Sequence, residues 1–205
     1  MNQRRSGALT RRPAIPLAWL LVAVMVLLPA IPANAAVTCA TAGVAVNVTL
    51  ASGDSVTIGR NVAGTFSVSG TGLTPSTCGG STVANRDTVN VTGTGGNESV
   101  TIDLTEGSFA PGIVNEAGTT DEIEFAIDLG AGSGDSLTVT GSAFADVITV
   151  GEAGINLNDV DDVDVTTAGV QNRTITGAGG VDELSAAGGN ATGASPSTAA
   201  TATTP

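Results

Sequence analysis

The side chains of this 205-residue chain that could do chemistry are nearly all carboxylates. Seven recur in one setting, an acid two residues before an aliphatic: Asp54-Ser-Val56, Asp87-Thr-Val89, Glu98-Ser-Val100, Asp121-Glu-Ile123, Asp135-Ser-Leu137, Asp146-Val-Ile148 and Asp182-Glu-Leu184. Several lie at the ends of glycine-rich stretches. Gly177-Ala-Gly-Gly180-Val-Asp182-Glu-Leu184-Ser185 follows the calcium-binding nonapeptide Gly-Gly-x-Gly-x-Asp-x-aliphatic-x with one glycine replaced. Gly93-Thr-Gly-Gly96-Asn-Glu98-Ser-Val100-Thr101 follows it with Glu for Asp, while the units ending at Asp135 and Asp146 keep the acid and the aliphatic. In that pattern the turn carbonyls and the carboxylate are hard oxygen ligands suited to Ca²⁺. The candidate ligands are therefore Asp182, Gly180, Asp146, Asp135 and Glu98.

Other chemistry is poorly provided for. The chain has no His, no Lys and no Tyr, so a Ser or Cys nucleophile would lack its usual base, and no enzymatic activity is expected. A polysaccharide-active β-helix would draw on basic residues, and only Arg60, Arg86 and Arg173 lie beyond the first 35 positions. The acidic run 159–164 does not fit an EF-hand, because Val163 stands at the fifth position and Asp164 where the loop needs Gly. It reads as a solvated acidic turn between two short strands.

The elements that would position these acids follow from patterning. Residues 1–35 read as a secretory signal peptide: Arg4, Arg5, Arg11 and Arg12 precede an apolar run, and Ala33-Asn34-Ala35 resembles a cleavage site. Pro29 and Pro32 end the run before the roughly 20 apolar residues that a membrane span needs, so no membrane insertion is expected after cleavage. What remains has three Arg against 19 acids, a net charge of −16, which excludes nucleic acid as a natural partner. Period-two alternation, as in Val44-Val46-Val48 and Val100-Ile102-Leu104, predicts strands almost throughout 36–186. Scarce aromatic residues and the repeating acid–aliphatic unit favour a parallel β-solenoid, or β-helix, over the alternative of an immunoglobulin-like sandwich. Residues 187–205, rich in Ala, Thr, Ser and Pro, read as a disordered tail. In an exported chain, Cys39 and Cys78 are expected to pair.

From Asp135 to Gly193 the chain resembles the secreted hemolysin-type calcium-binding repeat proteins, on the segments Asp146-Val-Ile-Thr-Val, Arg173-Thr-Ile-Thr-Gly-Ala-Gly-Gly and Leu184-Ser-Ala-Ala-Gly-Gly. The resemblance is to the portion that precedes the tandem array, and it implies a right-handed parallel β-helix, an extracellular location and Ca²⁺ binding. No second nonapeptide follows Asp182 nine residues later, so weak affinity is expected, on the order of 10⁻⁴ to 10⁻³ M. The competing expectation is a structural or adhesive surface module that meets cell-surface or matrix polymers and binds no metal specifically.

The signal reading makes a direct prediction: mass spectrometry of the exported protein should find Ala36 at its N-terminus. Retention of residues before Ala36 would contradict it.

Overall fold

The short alternating runs form strands because each puts two or three β-branched or aliphatic side chains on one face and Ser, Thr or Asn on the other. A computed structural model describes residues 36–115, 121–158, 162–188 and 198–201. The expected signal peptide, 1–35, lies outside the described residues. In chain order the strands are β1 (Thr38–Ala42), β2 (Ala45–Thr49), β3 (Ser55–Arg60), β4 (Phe66–Gly70), β5 (Leu73–Ser76), β6 (Thr88–Thr92), β7 (Ser99–Asp103) and β8 (Glu124–Asp128). They continue with β9 (Ser136–Thr140), β10 (Val147–Gly151), β11 (Ile155–Asn156), β12 (Val165–Ala168), β13 (Asn172–Thr176), β14 (Glu183–Gly188) and β15 (Thr198–Thr201).

The fold is all-β, with no helix among the described residues, and the strands make two mixed sheets. The first runs β1-β2-β6-β8-β12-β11-β10-β14 and the second β15-β13-β9-β7-β3-β4-β5. At the centre of each, strands distant in sequence pair in parallel. Val46 lies beside Val89, Val89 beside Phe125 and Phe125 beside Val165. In the second sheet Ile58, Ile102, Val139 and Ile175 follow one another in the same way. Successive central strands alternate between sheets, so β2 and β3, β6 and β7, β8 and β9, and β12 and β13 are repeated pairs. An immunoglobulin-like sandwich is made of antiparallel ladders. These central ladders are parallel, and that expectation is set aside.

The irregular spacing of the acid–aliphatic units now has a cause. The units belong to two interleaved series, and hairpins such as β4-β5 and β10-β11 interrupt them. Inward aliphatics from both sheets form one core, with Val46, Ile58, Val89, Val100, Leu137 and Ile148 wholly buried. Each such side chain contributes about 1.5 to 3 kcal/mol relative to exposure. Three of the four Phe residues gather at one point, where Phe109 meets Phe66 and Phe125 edge to face at centroid distances of 5.2 and 5.0 Å. Within the stretch expected as a tail, β14 ends at Gly188 and Thr198–Thr201 pairs in parallel with β13; residues 189–197 and 202–205 lie outside the described residues.

Cys39 on β1 and Cys78, in the loop after β5, are bonded, with Cα atoms 5.4 Å apart. The bridge ties the outermost strand of the first sheet to a loop leaving the second. Arg86 braces the same region, donating from Nε to Ser81 Oγ at 2.9 Å and from Nη1 to the Gly43 carbonyl at 2.9 Å. Closing a loop of sequence separation 39 stabilises the fold by about 4 kcal/mol in the chain-entropy account. Cys39→Ser with Cys78→Ser should lower the unfolding free energy in urea by about that amount. An unchanged midpoint would contradict the bridge.

Candidate metal centre

Turns that carry the chain into a strand leave backbone N–H groups that no ladder satisfies, and at several of them an acid accepts these groups. Before β3, Asp54 Oδ2 accepts the Ala51 N–H at 2.9 Å. Before β7, the two Glu98 carboxylate oxygens accept Thr94 N–H at 3.1 Å and Gly96 N–H at 2.7 Å. Before β9, Asp135 Oδ1 reaches the neighbouring turn and accepts Glu98 N–H at 2.8 Å, while Gln171 Oε1, one turn further, accepts Asp135 N–H at 2.7 Å. The turns preceding β10 and β14 repeat the device: Asp146 accepts Ser142 N–H at 2.8 Å, and Asp182 accepts Asp146 N–H at 3.2 Å. The acid–x–aliphatic unit is thus an amide-capping acid followed by an inward core residue.

The five residues expected as calcium ligands fall into two separate loop stacks. Glu98 and Asp135 close loops that lie side by side, and Gly180, Asp182 and Asp146 belong to the other pair. The partner that the glycine-rich unit lacks nine residues on is supplied laterally, by a loop 36 residues away. Close backbone approach explains the glycines. Gly180 has φ +101°, and a Cβ there would lie 2.5 Å from the Phe144 carbonyl carbon; at Gly130, with φ +78°, it would lie 3.0 Å from Gly95 N. Burial pushes the Asp135 carboxyl above its ordinary value, and the adjacent Glu98 adds to the rise. Burial acts upward on Glu98 too, but hydrogen bonding with Asp135 and with the Gly96 and Thr94 amides brings it below.

A different group of acids comes together where β8 and β12 begin. The parallel register that sets Val165 beside Phe125, continued backward, sets Asp162 beside Glu122. The Phe125 N–H donates to the Asp164 carbonyl at 2.7 Å and holds that register. Glu122, Asp162 and Asp164 each offer a carboxylate oxygen, all within 4.8 Å of one another. Asp164 is 1% exposed and Glu122 7%.

Neighbouring side chains orient the group. Asn158 Nδ2 donates to both Glu122 carboxylate oxygens at 2.8 and 2.7 Å. Asn156 Nδ2 donates to the Asp162 carbonyl at 2.7 Å, and the Leu157 N–H to Asp164 Oδ2. Both carboxylate oxygens of Asp162 and Oδ1 of Asp164 are buried without a hydrogen-bond partner. Burial pushes the Asp164 carboxyl up to about 8, and the Glu122 and Asp162 carboxylates add to the rise against the Leu157 amide, which lowers it. Hard, converging, unsatisfied oxygens of this kind suit a divalent cation that prefers oxygen ligands.

The run 159–164 therefore is not simply a solvated turn. Asp164 points inward because a bend at Asp162 and Asp164 breaks strand alternation, so that Asp164 and Val165 are both buried. Asp159 and Asp161 lie outside the described residues. Glu122 was not expected as a ligand from the sequence, where it is the middle residue of an acid–x–aliphatic unit. Its one visible signal was a second acid beside Asp121. No family model, curated protein or solved structure matches the chain.

Asp164 dictates a pH dependence. Its folded-state value, about 8, lies above its ordinary 3.8, so the native state binds the extra proton. The stability this contributes is complete below pH ~3.8 and is lost as pH rises through about 8. Between pH 5.5 and 8.5 ordinary carboxylates are already ionised. In chelator, the parent's urea midpoint should therefore fall across that range, and Asp164→Asn should flatten the profile. A flat parent profile would contradict the assignment.

Proposed function

We propose that this protein is an exported acidic β-solenoid domain that binds a divalent cation, Ca²⁺ foremost, through Glu122, Asp162 and Asp164. The observation that carries the reading is the convergence of buried Glu122 and Asp164 with half-buried Asp162, a group in which three carboxylate oxygens lack any donor. A buried carboxylate without a partner is costly. A bound cation removes that cost and offsets part of the repulsion of a chain with 19 acids. The solenoid reading is supported by the alternation of central strands between two parallel ladders, each pair serving as one coil. An extracellular setting is supported by the Cys39–Cys78 bond, since disulfides persist in oxidising compartments.

This reading moves the expected ion away from Asp182. The Asp146 and Asp182 carboxylates already accept turn amides, and so do Glu98 and Asp135. Of that set only Asp135 Oδ2 is buried without a partner, whereas three partnerless oxygens, both of Asp162 and Oδ1 of Asp164, converge beside Glu122, where Ca²⁺ would supply the missing partner. Kinship with the hemolysin-type repeat proteins remains part of the proposal, with the laterally stacked glycine loops in its favour. No catalytic role is assigned. The second reading is a structural surface module in which a proton on Asp164 takes the place of the cation; the raised Asp164 value favours it.

Calcium titration separates the two. With a dissociation constant on the order of 10⁻⁴ M, Ca²⁺ at a hundredfold excess should stabilise the parent by about 2.7 kcal/mol. Mg²⁺, which demands tighter octahedral geometry, should do less. Glu122→Gln and Asp164→Asn should lose the calcium response, and Asp182→Asn should keep it. Equal effects of Ca²⁺ and Mg²⁺, with the response intact in Asp164→Asn, would leave the structural-module reading.

A further inference from the structure

The outward face of the second sheet carries an ordered array of hydroxyls. Thr57, Thr101, Thr138 and Thr174 occupy one register line across β3, β7, β9 and β13, and the pairing has no shift at any step. Two residues before each stands Ser55, Ser99, Ser136 or Asn172, in a second unbroken line. Two residues after come Gly59, Asp103, Thr140 and Thr176. Among the described residues, none of the four central threonine hydroxyls hydrogen-bonds within the protein. Parallel strands lie about 4.8 Å apart and rise about 3.3 Å per residue. The hydroxyls and methyls therefore form a near-rectangular grid of about 4.8 by 6.6 Å.

The opposite sheet serves as an internal control. Its outward lines also hold threonines, Thr49, Thr88, Thr92 and Thr166, but Asn90, Glu124, Ala126 and Asp128 break them, so that no line repeats one residue across four strands. Strand propensity and solvation alone would treat the two faces alike. In a chain with 19 acids, only Asp103 interrupts the hydroxyl grid with a charge.

We propose that this face binds crystalline water, the surface of an ice lattice. The inference stands independently of the cation reading. A grid with a single charge, Asp103 at its edge line, on an otherwise acidic protein complements an uncharged partner. Because the grid has two fixed periods, it complements a partner whose own groups repeat in two dimensions. Threonine suits such a contact, because its β-branched side chain is stiff at χ1 and little freedom is lost when hydroxyl and methyl are held against a lattice. The grid measures roughly 14 by 13 Å, about 200 Å². A stable protein partner needs nearer 800 Å² from each side, which disfavours a second copy. Crystalline polysaccharide is disfavoured because no aromatic residue stands in the grid: Phe66, Phe109 and Phe125 are buried in the core, and the exposed Phe144 lies in the loop between β9 and β10.

Thermal hysteresis and ice-crystal shaping by the purified exported chain test the proposal. The parent should shape crystals and hold a measurable freezing gap. Thr101→Lys and Thr138→Lys, each with a parental melting midpoint, should reduce the gap at least fivefold, whereas Asn90→Lys on the other sheet should leave it unchanged. Should either central variant melt early, Thr174→Lys provides the same comparison. Absence of shaping by the parent, or full activity in the lysine variants, would overturn the proposal. So would a dimer in sedimentation that Thr101→Lys dissociates, or retention on microcrystalline cellulose without ice activity.

Discussion

The constraint on which the structure depends is the satisfaction of backbone amides at the turns between sheets. Strand ladders satisfy the N–H and C=O groups within each sheet, but a chain that crosses repeatedly between two sheets exposes new amides at every crossing. Here an acid immediately before the incoming strand accepts them, and the aliphatic two positions later enters the core. One short unit thus caps the turn and anchors the strand. In Glu98, Asp135 and Gln171 the caps link neighbouring turns, so that each turn helps to hold the next. The laterally stacked glycines serve the same end, since backbones that meet at Gly130 and Gly180 leave no room for a Cβ.

That arrangement also separates the acids into two kinds. Asp54, Asp146 and Asp182 are held by amide donors and cap turns. Both oxygens of half-buried Asp162 and Oδ1 of buried Asp164 have no donor, a condition that Asp135 shares at Oδ2 alone and away from any second such carboxylate. The difference lies in the chain path: the β10-β11 hairpin interrupts the alternation of strands between the two sheets, and the bend before β12 turns Asp164 inward toward Glu122.

Much of the fold was legible in the sequence. Val100, Ile102 and Leu104 alternate as strand residues should, and all three are buried. Scarcity of aromatics agrees with a core filled by aliphatics, and Cys39 and Cys78 pair as the compartment argument expects. The site was not legible. Glu122 and Asp162 are 40 positions apart and meet only through the Phe125–Val165 register, which depends on how many residues the intervening loops hold. The surroundings of the glycine-rich units were not legible for a related reason: their stacking partners lie 36 or 37 residues away rather than nine residues on, and their carboxylates accept amides. Local pattern identifies a turn. It does not show whether the turn's carboxylate already has a donor.

A crystal structure of the chain grown in millimolar CaCl₂ tests the central claim most directly. The account predicts one ion bridging Glu122, Asp162 and Asp164 at oxygen distances of about 2.3 to 2.6 Å. An ion seated instead in the Gly177 to Asp182 loop, or Asp164 hydrogen-bonded to Glu122 through a shared proton with no ion between them, would contradict it.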